Sequence, residues 1–403
     1  MLTYEEALAR VLGALPPAQS EKVPVADAAG RCLLQAVTSP LDLPPFDNSA
    51  MDGYAVRAAD VAKASAERPV ALRLLGQIGA GEVFQGHVGV QTCVRLFTGT
   101  PLPAGADAVV MQEDTRVDAA RPELVEILDA ARPWENVRLR GEDVKAGAVL
   151  LASGTRLGAG HLNLLAAVGL KNLPVARCPQ VGVVSTGSEL RLAGKPLAPG
   201  QIYESNRPML AALLADCSTK VQSYPLVPDS LTRTRTALQR AFAECDMVIT
   251  TGGASVGQLD FVKAAFTELG GSQEFWQVAI KPGKPFVFGT LAGKFLFGLP
   301  GNPVSAFVTF LLLVRPALLH WQGVQEVALP SHPGTLVEAL VNRGDRRHFV
   351  RVRVDTEGRV HSAGTQASHM LHSLAAANAL VEVPPETTLA AGSPVRVLRW
   401  SGT

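Results

Sequence analysis

The feature that most constrains this chain is an alternation in its second half. The run "QVGVVST" (180–186) precedes the helical pattern "RPMLAALLADC", and "KVQSYPLV" precedes "SLTRTRTALQRAFAEC". In the same way "DMVITT" precedes "DFVKAAFTELG", and "KFLFGLP" precedes "PVSAFVTFLLLVRPALLHW". Short apolar runs alternating with helical periodicity predict a parallel, doubly wound sheet over 176–325. Sheets of this kind bind ligands in the crevice at the carboxyl ends of their strands. The loops that follow the four runs are therefore where chemistry is expected.

The remaining sequence has other periodicities. Residues 42–140 are rich in short apolar runs, Gly and Pro, as in "PVALRLLGQIGAGE" and "ADAVVMQED", which predicts a β-rich unit. "MLTYEEALARVL" predicts an amphipathic N-terminal helix, and residues 147–175 return to a strand-plus-helix pattern. That segment is expected to pack with the N-terminal helix, which makes the β-rich unit an insertion. From about 326, "HFVRVRV" and "SPVRVLRW" alternate with period two and predict a small all-β domain.

Composition sets the outer bounds. The 403 residues, 47% hydrophobic and 18% charged, can bury a large core and do not resemble a disordered chain. A net charge of +1 argues against broad nucleic-acid or membrane electrostatics. The five cysteines (Cys32, Cys93, Cys178, Cys217, Cys245) include no C-x-x-C pair, so neither a zinc site nor a disulfide framework is expected. The N-terminus lacks the pattern of a signal peptide, and Val304–Val314 is too short to span a bilayer. A cytoplasmic protein is expected.

The informative loops are "STGSEL" (Ser185–Leu190), "PLVPDS" with Asp229, "TTGGASVGQLD" with Gly252, Gly253, Ser255 and Asp260, and "GLPGNPVS" with Pro300, Asn302 and Ser305. Glycines let backbone amides approach a ligand, and helix N-termini favour anions. Each loop also has a local reading: Asp229 as an N-cap, Asp260 in a helical first turn, "PGNP" as a turn. Thr186, Glu189, Asp229 and Asp260 nevertheless fall on one edge. Carboxylates gathered there would repel one another unless a divalent cation such as Mg²⁺ joined them. "AIKPGKPFVFG" places Lys281 and Lys284 around a Pro–Gly turn, as ordinary turn lysines or as a fixed positive notch for a tetrahedral oxyanion. In the insertion, "LPPFDNSAMDGYAVR" crowds Asp47, Asn48, Ser49 and Asp52, "LFTGTPLPAGADAVV" presents Thr98, and "NVRLRGEDV" sets Arg138 and Arg140 beside acidic residues.

Together "PPFDNSAMDGYAVR", "FTGTPLPAGADAVV", "NVRLRGEDV", "STGSEL", "TTGGASVGQLD", "IKPGKP" and "GLPGNPVS" resemble, in order, the MoeA-like molybdopterin molybdenumtransferase family, which is related to the E domain of gephyrin. The resemblance implies an elongated, multidomain α/β plus β subunit. Its expected parts are a linker and dimerisation domain (1–41 and 141–175), a β-rich lid (42–140), a molybdopterin-binding α/β domain (176–325) and a C-terminal β-barrel (326–403). It implies a homodimer with the site shared between subunits, and transient contact with other cofactor-biosynthesis proteins. The implied reaction inserts molybdate into adenylylated molybdopterin, releasing AMP, with Mg²⁺. Glu189, Asp229 and Asp260 would then position Mg²⁺. Lys281 and Lys284 would hold molybdate, and Asp52, Thr98, Arg138 and Arg140 would close the site from the partner subunit. Ser305, Arg351 and Ser368 are implied as further oxyanion contacts, and Ser188 and Ser230 stand where the family often has Asp. The rival readings are a pterin adenylyltransferase, which shares the α/β unit, and a non-catalytic scaffold.

Overall fold

The structure is a computed structural model that describes residues 1–252 and 261–400. Its central sheet contains β1 (Gln180–Ser185), β2 (Lys220–Ser223), β3 (Met247–Thr251), β4 (Ser272–Gln277), β5 (Pro285–Leu291) and β6 (Lys294–Leu299). Their order across the sheet is β2–β1–β3–β6–β5–β4. The four strands read from the sequence are the parallel ones, and β5 and β4 extend one edge antiparallel. Sequence alternation had not indicated that edge, because a hairpin carries no helix between its strands. Ala292 and Gly293 join β5 to β6 with φ of 49° and 77°, the positive pair that a tight two-residue hairpin needs.

The chain runs from β1 outward to β2, then crosses back to β3 on the other side of β1. The crevice between the carboxyl ends of β1 and β3 is the topological switch point of the sheet. Helices Asn206–Asp216, Leu231–Glu244 and Phe261–Glu268 cover the sheet, together with the long helix Pro303–Trp321. That last helix is continuous through a π-helical stretch, Phe310–Val314, so it is longer than the apolar run noted in the sequence. By length and hydropathy it could cross a membrane, but 89% of its apolar window is buried in the protein core. Each large side chain it buries contributes roughly 1.5–3 kcal/mol.

The N-terminal helix Tyr4–Ala14 opens with a capping box, in which Thr3 and Glu6 exchange side-chain and backbone hydrogen bonds. Contrary to expectation, its stripe of Ala7 and Val11 packs into the core that holds Leu311, Leu318 and Phe349. Segment 147–175 closes instead on the next strand: Ser20–Pro24 pairs with Asn172–Ala176. Leu173 and Val175, two residues apart on Asn172–Ala176, are both buried, a spacing that matches a sheet partner better than a helix.

The β-rich insertion leaves and returns across a Leu43–Val144 bridge. It is a six-stranded sheet with apolar clusters around Val56, Leu72 and Ile127 and around Ala55, Val94 and Val109. At the C-terminus five strands close into a barrel: Ser331–Leu336, Arg347–Val354, Arg359–Ser362, Ala379–Val383 and Pro394–Arg399. Val350, Val352 and Val354 alternate into its interior with Val381, Val383 and Val397. The five cysteines are all free and buried.

Candidate functional site

A cleft of about 620 Å³ opens at the carboxyl ends of β1, β3 and β6. Thr186, Glu189, Thr251, Gly252, Pro300 and Asn302 line it, so the structure gathers residues from three of the four loops singled out in the sequence. The gathering is done by backbone. The Thr186 amide donates to the Thr251 carbonyl at 2.9 Å, extending the β1–β3 pairing past the strands. Gly252 has φ of +82°, and a Cβ there would lie 2.3 Å from the Thr186 carbonyl oxygen. No L side chain fits that position without moving the loop. Gly301 packs against Gly252 from the third loop.

The acidic residues divide. Glu189 lines the cleft, and its carboxylate makes no hydrogen bond or ion pair among the described residues. Asp229 does not line the cleft and does not cap a helix; the N-cap position of Leu231–Glu244 is Ser230. Instead, Asp229 Oδ2 accepts the Ser188 amide at 3.1 Å, and the Asp229 amide donates to Ser188 Oγ at 2.9 Å. This reciprocal pair pins the loop that carries Glu189. Gly253, Ser255 and Asp260 lie outside the described residues. Among the described residues no group of three His, Cys, Asp or Glu side chains forms a metal site.

The lysine turn is built against its neighbours. Pro282 and Gly283 are buried, and a Cβ on Gly283 would meet the Thr309 methyl at 2.5 Å. Lys281 pairs in register with His348 of the barrel, Lys284 is exposed, and Pro285 reaches the cleft. The turn thus bridges the α/β sheet and the barrel.

Arg351 is fully buried. Its guanidinium donates to Ser373 Oγ at 3.0 Å and to the carbonyls of Thr365 at 2.8 Å and Ala367 at 3.2 Å. One guanidinium nitrogen, Nη1, is buried without a partner among the described residues. Arg351 thereby fixes the loop holding Ser368, whose carbonyl accepts the Val304 amide at 3.3 Å beside the start of the Pro303 helix. From the same loop His369 and Leu371 reach the cleft. Ser305 is buried within that helix and does not line the cleft. His348 is buried, and neither ring nitrogen has a partner among the described residues. Burial, with Lys281, Arg351 and Arg346 nearby, pushes its pKa down to about 4.

The lid residues form a separate arrangement, and none of them lines the cleft of the same chain. Thr98 donates its amide and its hydroxyl to Asp52 Oδ1, at 2.8 and 2.9 Å. The Thr98 amide, then its hydroxyl, holds the Asp52 carboxyl below the usual carboxylate range. The Arg140 side chain is taken by Asp42 at 2.5 Å and its amide donates to Asp47 at 2.7 Å, whereas Arg138 is exposed on the strand paired with Asn48–Ser49.

Sequence reasoning missed Glu204, Ser205 and Asn206, which line the cleft floor, along with His369 and Leu371. "IYESN" carried a usable signal: three polar residues at the entry of an apolar helix, following a Pro–Gly turn. His369 and Leu371 carried none, because only the docking of the barrel brings them there.

Comparison with known proteins agrees along the whole chain. Residues 2–169 match the model of the MoeA N-terminal region (domain I and II) and residues 182–320 a probable molybdopterin binding domain. Residues 333–400 match the MoeA C-terminal region (domain IV). A molybdopterin molybdenumtransferase of Haemophilus influenzae is 38% identical over 404 residues, covering 98% of each chain. Molybdopterin molybdenumtransferase 2 of Mycobacterium tuberculosis is 41% identical over 384 residues, covering 93% of this chain and 94% of the relative. The crystal structure of a Pyrococcus horikoshii molybdopterin biosynthesis MoeA protein superposes with a TM-score of 0.82 at 32% identity, covering 100% of both chains.

Proposed function

The chain belongs to the MoeA family of molybdopterin molybdenumtransferases, enzymes of molybdenum-cofactor biosynthesis, and we propose that it inserts molybdate into adenylylated molybdopterin with release of AMP. The observation that carries this reading is the cleft at the sheet's switch point, walled by Thr186, Gly252 and Pro300–Asn302 and flanked by the Lys281 turn. Backbone amides held in such a cleft stabilise anionic phosphate oxygens without reorganising during reaction.

In this reading Lys281 and Lys284 attract molybdate, and the buried Arg351 holds the Ser368 loop against the same region. Asp52, Thr98, Arg138 and Arg140 complete the site from the partner subunit of a homodimer; their absence from the cleft of their own chain supports that arrangement. The donor set fits Mg²⁺ in part: Glu189 offers at the cleft a carboxylate without a partner among the described residues, while Asp229 has one oxygen engaged by Ser188. Glu189, with Asp229 and Asp260, would hold the ion, and Mg²⁺ would supply charge neutralisation at the adenylyl phosphate. No hydroxyl or thiol nucleophile is needed, so electrostatic preorganisation carries the catalysis. The reaction belongs in the cytoplasm, with transient contacts to other cofactor-biosynthesis proteins.

Turnover tests the proposal. Purified protein given adenylylated molybdopterin, molybdate and Mg²⁺ should release AMP and yield active cofactor. Formation of the adenylylated pterin from ATP and free molybdopterin would instead make it an adenylyltransferase. Tungstate in place of molybdate measures the selectivity of the lysine turn.

A further inference from the structure

The floor of the cleft contains a polar device to which the reading above gives no role. Glu204 is only 9% exposed and Asn206 only 8%, yet both line the cleft. Glu204 Oε1 is committed: it accepts from Ser185 Oγ at 3.2 Å and from the Arg207 amide at 2.7 Å. Oε2 makes no hydrogen bond among the described residues and is ion-paired with the Arg207 guanidinium at 3.9 Å. Asn206 donates its amide nitrogen to the Gly301 carbonyl at 2.9 Å, which fixes the amide's orientation. Among the described residues its Oδ1 is thereby left buried and without a partner. A buried polar atom without a partner is costly, and a ligand that satisfies it recovers that cost.

Two residues of one short segment that lines the cleft, Glu204 and Asn206, therefore each keep one acceptor oxygen outside any hydrogen bond among the described residues. Above them stand apolar side chains with unusual exposure: Ile202 at 55%, Tyr203 at 47% and Leu371 at 47%. Exposed apolar walls over a floor of acceptors suit a flat heterocycle whose edge carries two neighbouring N–H donors. An aminopyrimidinone edge has that pattern in its exocyclic amine and its ring N–H. The pairing edge of adenine does not, because it sets one donor beside an acceptor.

We infer that Glu204 and Asn206 form the specificity subsite that reads the aminopyrimidinone edge of the pterin. The inference rests on the functional reading above. The other nucleotide part with donors to offer is a ribose hydroxyl pair, and the experiment separates the two.

The probes are pterin and 4-oxopteridine, which lacks the 2-amino group, with binding to the full chain followed by ligand fluorescence. The wild-type protein should prefer pterin by at least about tenfold, since a buried acceptor rejects the analogue that cannot donate to it. Glu204→Gln should bring the ratio close to one. Asn206→Ala leaves the Glu204 bonds to Ser185 and Arg207 in place and should lower the ratio in the same direction, so the test survives misfolding of the first variant. AMP binding should be unchanged in both. No preference in the wild type, or a ratio unchanged in both variants, overturns the inference. Weakened AMP with an intact pterin ratio overturns it in favour of ribose. Failure of the functional reading shows separately, as absence of AMP release from the wild type in the turnover assay.

Discussion

The loop edge of the α/β sheet and the polar loops of the lid are held in opposite ways. At the sheet edge, backbone packs on backbone: Gly252 lies on the Thr186 carbonyl and Gly301 on Gly252. In the lid, side chains exposed to solvent hold one another, as in Thr98 with Asp52 and Arg140 with Asp42. The first arrangement has no freedom to rearrange without steric conflict. The second is made of bonds that water can replace at little cost. A site assembled from both has one rigid wall, and a second wall that can arrive from elsewhere and adjust.

The largest effect should come from breaking the rigid wall. Gly252→Ala places a methyl 2.3 Å from the Thr186 carbonyl, at a φ of +82°. AMP release should fall at least about 10²-fold, because displacement of about 1 Å is enough for such a loss. An unaltered rate would show that the clamp does not set the geometry of the site.

The lid should respond in activity rather than in folding. Asp52→Asn keeps an oxygen for the Thr98 donors and removes only the charge. Turnover should drop about 10²-fold, as for loss of one electrostatic stabiliser, while the thermal midpoint stays close to that of the wild type. Wild-type-like turnover would take Asp52 out of the site. Because the folded pKa of Asp52 is depressed, its bond to Thr98 is present above the unfolded value and is lost as pH falls through the folded one. Exchange of the Thr98 amide should accelerate only on that acid side.

His348 offers a smaller effect on the barrel side. Its folded pKa of about 4 lies below the ordinary value of 6.5, so the unfolded chain takes up a proton first as pH falls. Stability should therefore decline between those two values by at most about 1.4 kcal/mol per pH unit. His348→Gln should flatten that part of the denaturation profile, and an unchanged slope would mean the imidazole titrates normally.

The smallest effect is expected at Arg140→Ala, which removes a solvent-screened ion pair with Asp42. The Asp42 carboxyl should titrate higher, yet remain below its usual range, because the Ala146 amide is the leading cause of its depression. Carboxyl NMR in the variant measures this.

Much of the frame was legible from local pattern. Each parallel strand announced itself because an apolar run followed by a 3.6-residue periodicity has few other solutions. Thr186, Glu189, Gly252, Pro300 and Asn302 were found because they immediately follow those runs, where strand ends must present them. The antiparallel edge and the packing of the N-terminal helix were not legible, since both depend on partners distant in sequence. Asp229 read as a candidate helix cap, but the cap is Ser230, and only the folded loop revealed the exchange of bonds between Asp229 and Ser188.

The sequence by itself determined the four parallel strands and the helices between them, the alternation of the C-terminal strands and the family, because these follow from periodicity and from motifs in register. Tertiary structure alone decided that Glu204 and Asn206 face the cleft, that Arg351 anchors the loop bringing His369 to it, and that Asp52 and Thr98 stand apart from it within one chain. Burial and hydrogen-bond satisfaction are properties of neighbours in space, and a residue's neighbours in space are set by how the sheets and barrel dock.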